Sequence, residues 1–94
     1  MLTLNTIIME HFVYILKSTV DGSYYKGYTT DFERRLMEHN GGLSKYTAGK
    51  RPWIPVYLEK CDSKHAALIR EKSLKRGNRR YFEYLANDEK NLLK

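Results

Sequence analysis

Four residues in the first half of the sequence have side chains that could do chemistry together: Tyr14, Tyr25, Arg35 and His39. Tyrosine and histidine can transfer protons, and arginine is a permanently charged fork of hydrogen-bond donors that suits anionic oxygens. On a helical wheel, Arg35 and His39 fall on the same side as Phe32, where an amphipathic helix ordinarily carries apolar groups. The alternative is that Arg35 only extends from the edge of an apolar stripe and that His39 is a half-buried structural histidine.

A predicted β-hairpin brings the two tyrosines into one polar cluster with the helix that follows. The runs 12–16 and 24–28 both have strand character and are separated by Asp21-Gly22, a strong turn signal. Because successive strand residues point to opposite faces, Tyr25 shares a face with Gly27. A glycine inside a strand marks a bulge or a place where a ligand or another backbone comes close.

The helix after the hairpin has clear start and stop signals. Thr30 and Glu33 form a predicted capping box at its beginning, and Asn40-Gly41-Gly42 ends it. Arg34 and Glu38 are predicted to lie on the side opposite to the polar cluster. Arg34 is therefore a natural control for the role of its neighbour Arg35.

These motifs resemble those of a known nuclease family. The first motif is Phe12-Val13-Tyr14 and the second is Tyr25-Lys26-Gly27. The second continues without a break through residue 36 and is followed by His39. A later predicted helix carries Arg70-Glu71-Lys72. Over roughly residues 11–80 the chain resembles the GIY-YIG nuclease domains, in particular the small stand-alone bacterial type related to the amino-terminal incision domain of the excision-repair nuclease. The first motif departs from the family's Gly-Ile-Tyr, because a phenylalanine stands in place of the glycine.

The resemblance implies phosphodiester hydrolysis with one divalent ion, Mg²⁺ or Mn²⁺, held by Glu71. A single carboxylate suits Mg²⁺, which keeps most of its waters and takes further ligands from substrate phosphate. In this scheme Tyr14 is the base that activates water, with a pKa lowered by nearby cations, and Tyr25 orients the water or the substrate. Arg35 binds the charge that develops on the phosphate, and His39 is a second proton carrier or a phosphate donor. The family also uses a late asparagine, for which Asn78 and Asn87 are candidates that match no motif.

The loop 41–52 combines three basic residues with one aromatic residue. Lys45, Lys50 and Arg51 could contact a phosphate backbone while Tyr46 stacks on a base, although a plain solvated loop has the same composition. The basic residues around Glu71 have the same two interpretations, phosphate contact or a solvated face. The predicted nucleic-acid-binding residues are Lys26, Lys45, Tyr46, Lys50, Arg51, Lys72, Lys75 and Arg76.

Later elements complete a mixed fold. Residues 53–59 alternate as a half-buried third strand, with Ile54, Val56 and Leu58 on one face and a proline that favours a sheet edge. Asp62 or Ser63 caps a helix that runs to about residue 76, and residues 81–85 form a closing helix. The resemblance implies, and the pattern independently supports, an α/β (α+β) fold: a small three-stranded antiparallel sheet flanked by helices in the order β-β-α-β-α-α.

Length and composition are consistent with one small basic domain. A chain of 94 residues buries about 65% of its unfolded surface, so a core can form without disulfides. A net charge of +6 and a pI near 9.5 favour a polyanionic partner. Cys61 is the single cysteine, which fits a reducing compartment, and no run approaches the roughly 20 apolar residues of a membrane span. We expect a cytoplasmic protein with an extension (1–10), a nuclease-like domain (11–86) and a C-terminal tail (87–94).

The sequence therefore predicts a metal-dependent endonuclease that nicks one strand of DNA in repair or recombination, with RNA as another possible substrate. Fold alone does not establish function, so a non-catalytic nucleic-acid-binding module with the same fold is an alternative. A third alternative is a protein-interaction module that uses the tyrosine-rich surface. Binding to DNA should weaken steeply with salt, whereas apolar contacts to a protein should not.

Overall fold

One antiparallel sheet organises residues 9–94, which are the residues that the computed structural model describes. Its strands are β1 (His11–Ser18), β2 (Tyr24–Thr29) and β3 (Trp53–Cys61), and their order in the sheet is β2-β1-β3. The helices are α1 (Phe32–Asn40), α2 (Lys64–Lys75) and α3 (Arg79–Ala86), and a single 3₁₀ turn (Ala48–Lys50) precedes β3. The predicted fold class and the order β-β-α-β-α-α are confirmed.

The central strand β1 is buried on both faces, which explains why its sequence is a continuous apolar run. Val13 and Ile15 point to one face and pack in a core with residues of α2 and α3. Tyr14 and Leu16 point to the other face and pack with Trp53 and with partly buried residues of α1. One face of β1 therefore belongs to the main core, whereas the other carries the polar cluster that the sequence predicted.

The edge strand β3 is irregular, and its predicted faces are partly wrong. Pairing with β1 shifts between Ile15, which faces Tyr57, and Leu16, which faces Pro55, so Val56 is an extra residue at a bulge. As a result Tyr57 is fully buried in the main core, although the simple alternation placed it opposite the apolar residues. The predicted edge position of Pro55 is consistent with the sheet order.

The helix caps correct one sequence prediction and confirm another. Asp31, not Thr30, caps α1, because its carboxylate accepts a hydrogen bond from the backbone N–H of Arg34 at 3.1 Å. Thr29 supports this turn by accepting a hydrogen bond from the Asp31 N–H at 3.0 Å. At α2 the predicted Ser63 cap accepts a hydrogen bond from the Ala66 N–H at 3.0 Å.

The C-terminal segment folds back along the free edge of β3. Asn91 is buried, and its amide donates to the carbonyls of Val56 and Ala86, both at 3.0 Å. Its side-chain oxygen accepts from the Leu58 N–H at 3.1 Å, and the Leu92 N–H donates to the Leu58 carbonyl at 2.8 Å. These bonds satisfy edge groups that would otherwise be open to pairing with another strand.

Most of the predicted N-terminal extension, residues 1–8, lies outside the described residues. Within residues 9–94 no helix is long and apolar enough to cross a membrane.

We predict that Asn91→Ala lowers the free energy of unfolding by about 1–3 kcal/mol, because buried backbone groups of β3 lose their partners. Urea denaturation followed by circular dichroism measures this change. Asn87→Ala is the matched control, since Asn87 is exposed and, within residues 9–94, its side-chain amide donates only to the Glu83 carbonyl. Equal small losses in both variants would contradict a specific role for Asn91.

Candidate active site

A buried chain of hydrogen bonds lies at the centre of the site. The Tyr14 hydroxyl is 2.9 Å from Nε2 of His39, and Nδ1 of the same ring is 2.8 Å from the Thr47 hydroxyl. Only 1% of Tyr14 and none of His39 or Thr47 is exposed. The chain joins three separate segments: β1, α1 and the loop 41–52.

The partners of Thr47 indicate where the protons lie. The Thr47 hydroxyl has one proton, which it donates to the Ser44 carbonyl at 3.4 Å. With that proton placed toward Ser44, the hydroxyl accepts from His39, and on this basis we assign the ring proton to Nδ1. Nε2 consequently carries a lone pair and accepts the hydrogen bond donated by Tyr14.

Burial keeps the imidazole neutral. Removal from water, with a smaller contribution from the nearby charge of Arg35, lowers the pKa of His39 from 6.5 to about 4. The acidic group Glu38 acts in the opposite direction but does not offset these effects. At neutral pH, His39 is therefore uncharged, and one of its ring nitrogens is free to accept a hydrogen bond.

The structure contradicts the expectation of a lowered tyrosine pKa. Burial, followed by the neighbouring hydroxyl of Tyr25, raises the pKa of Tyr14 above its ordinary value of 10. Arg35 acts in the lowering direction that the sequence analysis anticipated, but its effect is smaller, and the carboxylate of Glu71 adds to the increase. A tyrosinate is therefore not the resting form of Tyr14.

Glycine at position 27 is required by the position of the Tyr14 ring. Tyr14 and Gly27 are directly paired across β1 and β2. A Cβ atom on Gly27 would lie 2.5 Å from the Tyr14 hydroxyl oxygen and 2.6 Å from the ring carbon that bears it. The space predicted beside Tyr25 is thus occupied by the Tyr14 hydroxyl.

Tyr25 forms the partly exposed wall of the buried cluster. Its ring packs edge-on against the His39 ring at a centroid distance of 4.8 Å and lies 6.2 Å from that of Trp53. The Tyr14 ring is 6.3 Å away. Tyr14, Tyr25 and His39 are therefore brought together as predicted from the hairpin and helix patterns.

Arg35 lies beside this cluster, but it also has a partner that was not predicted. Its guanidinium donates to the carboxylate of Glu38 at 2.9 Å, although the wheel placed Glu38 on the opposite side. Burial acts to lower the pKa of Arg35, but the interactions with Glu38 and Tyr14 outweigh it and raise the pKa. Arg34 does point outward, since 71% of its side chain is exposed.

Glu71 is the candidate metal ligand. Its side chain is 20% exposed, and its carboxylate is 3.5 Å from the ammonium group of Lys75, one turn later on α2. Its effect on the pKa of Tyr14 indicates that its charge acts on the same cluster. In residues 9–94 no group of three or more histidine, cysteine or acidic side chains could by itself hold a metal ion. A metal here would need water and substrate as its other ligands.

An open cleft of about 410 Å³ adjoins the cluster along the outer edge of β2. Tyr25 lines it together with four other residues: Tyr24, Lys26, Tyr46 and Lys75. Three of the predicted nucleic-acid-binding residues thus share one surface.

The other predicted nucleic-acid-binding residues do not line the cleft. Lys50 pairs with Asp21 at 3.1 Å, and Arg51 is packed closely against Gly42. The remaining predicted residues are solvent-exposed: Lys45, Lys72 and Arg76.

Sequence reasoning did not identify Thr47, Trp53 or Asn40 as parts of the site. The Trp53 indole N–H donates to the Thr47 carbonyl at 2.9 Å. The side-chain oxygen of Asn40 accepts a hydrogen bond from the Trp53 N–H at 2.6 Å, and its NH₂ group donates to the Trp53 carbonyl at 3.2 Å. These two bonds hold together the ends of the loop 41–52. A hydroxyl residue inside a basic loop has no distinctive pattern, and only the long-range contact with His39 identifies it.

The candidate asparagines, Asn78 and Asn87, lie at the two ends of α3 as its caps.

Comparisons with known proteins agree with this geometry. Residues 10–85 match the family model described as the GIY-YIG catalytic domain. A UPF0213 protein of Natronomonas pharaonis is 46% identical over 81 residues, which cover 85% of this chain and 94% of the relative. A UPF0213 protein of Listeria welshimeri is 44% identical over 72 residues, or 76% of this chain and 79% of the relative. The solution NMR structure of a UPF0213 protein from Bacillus halodurans has a TM-score of 0.55 at 40% identity and covers 90% of both chains.

We predict that His39 stays neutral down to about pH 4, with its proton on Nδ1, because it is buried and donates to Thr47. Long-range ¹H–¹⁵N NMR spectra recorded from pH 7.5 to 4 report both the tautomer and the titration. Between pH 6.5 and 4 the unfolded chain binds a proton at this position that the folded chain does not, so this group makes the fold less stable as pH falls. Titration of His39 near pH 6.5, or a proton on Nε2, would contradict the assignment.

Proposed function

The chain belongs to the GIY-YIG family of nuclease domains, and from this premise we propose that it is a metal-dependent endonuclease that nicks one strand of DNA in repair or recombination. The observation that carries the proposal is the buried bond from Tyr14 to the neutral His39, beside Arg35 and next to a cleft with two lysines. One site on one small domain supports one cut per encounter. The net charge of +6 favours association with a polyanion.

The residues present are compatible with the divalent ion that GIY-YIG nucleases generally use. Glu71 supplies a partly exposed carboxylate whose partner, Lys75, is a surface residue that can move away. Mg²⁺ typically binds one or two protein carboxylates and completes its shell with waters and phosphate oxygens, and Mn²⁺ is the alternative ion. When bound, the ion would withdraw charge from the scissile phosphate and from the leaving oxygen.

Tyr14 is proposed to accept the proton of the attacking water while its own proton moves to Nε2 of His39. This relay needs no free tyrosinate, which accounts for activity despite the raised pKa of Tyr14. Nε2 is an available acceptor because His39 is neutral and its other nitrogen donates to Thr47. Because only 1% of Tyr14 is exposed and its neighbour Tyr25 is partly exposed, we propose that the water reaches the hydroxyl past Tyr25.

Arg35 is proposed to bind the phosphate oxygens on which negative charge grows. About a third of its side chain is exposed, and a planar fork of donors suits two oxygens at once. Its bond to Glu38 holds the guanidinium beside Tyr14 before substrate arrives. Tyr25 packs against His39 and can orient the water or the phosphate.

A non-catalytic nucleic-acid-binding module is the second candidate function. The observation in its favour is that the buried Tyr14 has a raised pKa and Arg35 is already paired with Glu38. Such a module would retain the basic cleft and bind DNA without cutting it. The distinction therefore depends on turnover, not on binding.

We predict that Glu71→Gln lowers Mg²⁺-dependent nicking of supercoiled plasmid and branched DNA by about 100-fold or more, because the carboxylate that holds the ion is lost. Arg34→Gln is the control and should nick as wild type does, since Arg34 points into solvent. Gel separation of supercoiled and nicked forms gives the rates. A wild-type protein that binds both DNAs in a salt-sensitive way but cuts neither them nor RNA would favour the binding module.

A further inference from the structure

We propose that the cleft at the edge of β2 holds an unpaired DNA base stacked on Tyr46, so that the preferred substrate has an unpaired nucleotide next to the phosphate that is cut. The inference rests on the proposed nuclease function and specifies the substrate class of that site. Its basis is the combination of an exposed aromatic ring, a fixed loop beneath it and a cationic cleft beside it.

Tyr46 is exposed to an unusual degree for its size. The residue is 91% exposed, and it is the most exposed of the large hydrophobic residues in the part of the chain that the structure describes. A tyrosine ring presents a large flat surface and has few torsions to restrict on binding. Exposure of this kind suits a stacking platform better than a structural residue.

The backbone that carries Tyr46 is held in place by its neighbour. Thr47 is fully buried, its hydroxyl bonds His39 and its carbonyl accepts the indole N–H of Trp53 at 2.9 Å. The residue next to Tyr46 is thus part of the hydrogen-bond chain of the proposed catalytic cluster, so the backbone below the exposed ring is fixed. Little loop ordering should be required when a base stacks on it.

The cleft also provides positive charge for a phosphate. Lys26 and Lys75 both line it, and the pKa of Lys26 is lowered first by partial burial and then by the charge of Lys75. Lys75 already has an anionic partner in Glu71 at 3.5 Å, so Lys26 is the lysine of the cleft with a charge left to pair with a phosphate. Among residues 9–94, the contacts of the Lys26 ammonium are the Tyr24 carbonyl at 3.2 Å and the Phe82 ring at 5.2 Å, neither of which is an anion.

The cleft and the catalytic cluster share a wall. Tyr25 lines the cleft and also packs against His39. A nucleotide in the cleft would therefore be close to the reacting phosphate, either the same nucleotide or its immediate neighbour along the strand.

The chemistry of the cleft favours an unpaired base. Interleaved aromatic and cationic groups are typical of surfaces that bind single strands, where each base has a free face for stacking. A base inside a duplex is covered on both faces by its neighbours and cannot reach a protruding ring without being displaced. The cleft volume of about 410 Å³ also lies in the range of about 300–1,000 Å³ that is usual for small-ligand sites.

The test measures binding of the full chain in EDTA, so that no cutting is required. The probes are a duplex with one unpaired 2-aminopurine nucleotide and a fully paired duplex of the same length. Stacking contributes about 1–3 kcal/mol per base, so wild type should prefer the first DNA by about 5- to 150-fold and should quench the 2-aminopurine fluorescence.

Three variants separate stacking from folding and charge. Tyr46→Ala should lose the preference and the quenching, whereas Tyr46→Phe, which keeps a ring, should retain both. Tyr84→Ala is the control, because Tyr84 is 65% exposed but lines a different hollow, at the end of α3. A preference for unpaired DNA that survives in Tyr46→Ala overturns the proposal, as does tighter binding of an RNA with the same unpaired base.

Nicking of the same two duplexes by the wild type in Mg²⁺, compared with the quenching, distinguishes failure of this inference from failure of the proposed function. Quenching without nicking by the wild type would leave the stacking site in place and contradict the nuclease. Nicking of paired and unpaired DNA at equal rates, without quenching, would retain the nuclease and contradict the stacking site.

Discussion

The hydrogen bond between Tyr14 and His39 is the interaction on which the rest of the site depends. Buried polar groups are costly unless they are paired, and here each of the two side chains satisfies the other. The second nitrogen of His39 needs its own partner, which is Thr47, and Trp53 and Asn40 hold the loop that carries Thr47. In residues 9–94 no buried side-chain nitrogen or oxygen lacks a hydrogen-bond partner. These hydrogen bonds therefore offset the cost of burying the polar side chains of the cluster.

The same burial determines the protonation states of the cluster. It lowers the pKa of His39 and raises that of Tyr14, so both side chains are neutral at physiological pH. In the proposed relay Tyr14 gives its proton to Nε2 of His39 as it takes one from water, so Tyr14 stays neutral and the positive charge is transiently on the histidine. The charged groups lie around the pair, on Arg35 beside it and on the two lysines that line the adjoining cleft. The β2 edge, where aromatic and basic residues meet, is the surface on which we propose that a nucleic acid binds.

Much of this arrangement could be predicted from local sequence patterns. Strand alternation placed Tyr25 and Gly27 on one face, and helical periodicity placed Arg35 and His39 toward the sheet, because both depend only on local geometry. Thr47 could not be predicted, since its role arises from a contact with a residue on another element. The direction of the Tyr14 pKa shift was wrong for a related reason: nearby cations can be guessed from sequence, but the depth of burial cannot. The bulge at Val56 and the shift of the α1 cap to Asp31 depend on competition between neighbouring residues that simple patterns do not resolve.

The most direct test of the central claim is the single-turnover rate of DNA cleavage by Tyr14→Phe, compared with Tyr25→Phe, at saturating Mg²⁺. Phenylalanine keeps the ring of Tyr14 and removes only the hydroxyl that exchanges the proton with His39. The account predicts that Tyr14→Phe loses about 100-fold or more in the rate of the chemical step while it still binds DNA, and that Tyr25→Phe loses less. Near-wild-type cleavage by a folded Tyr14→Phe protein would contradict the account, because the proton would then have left by another route.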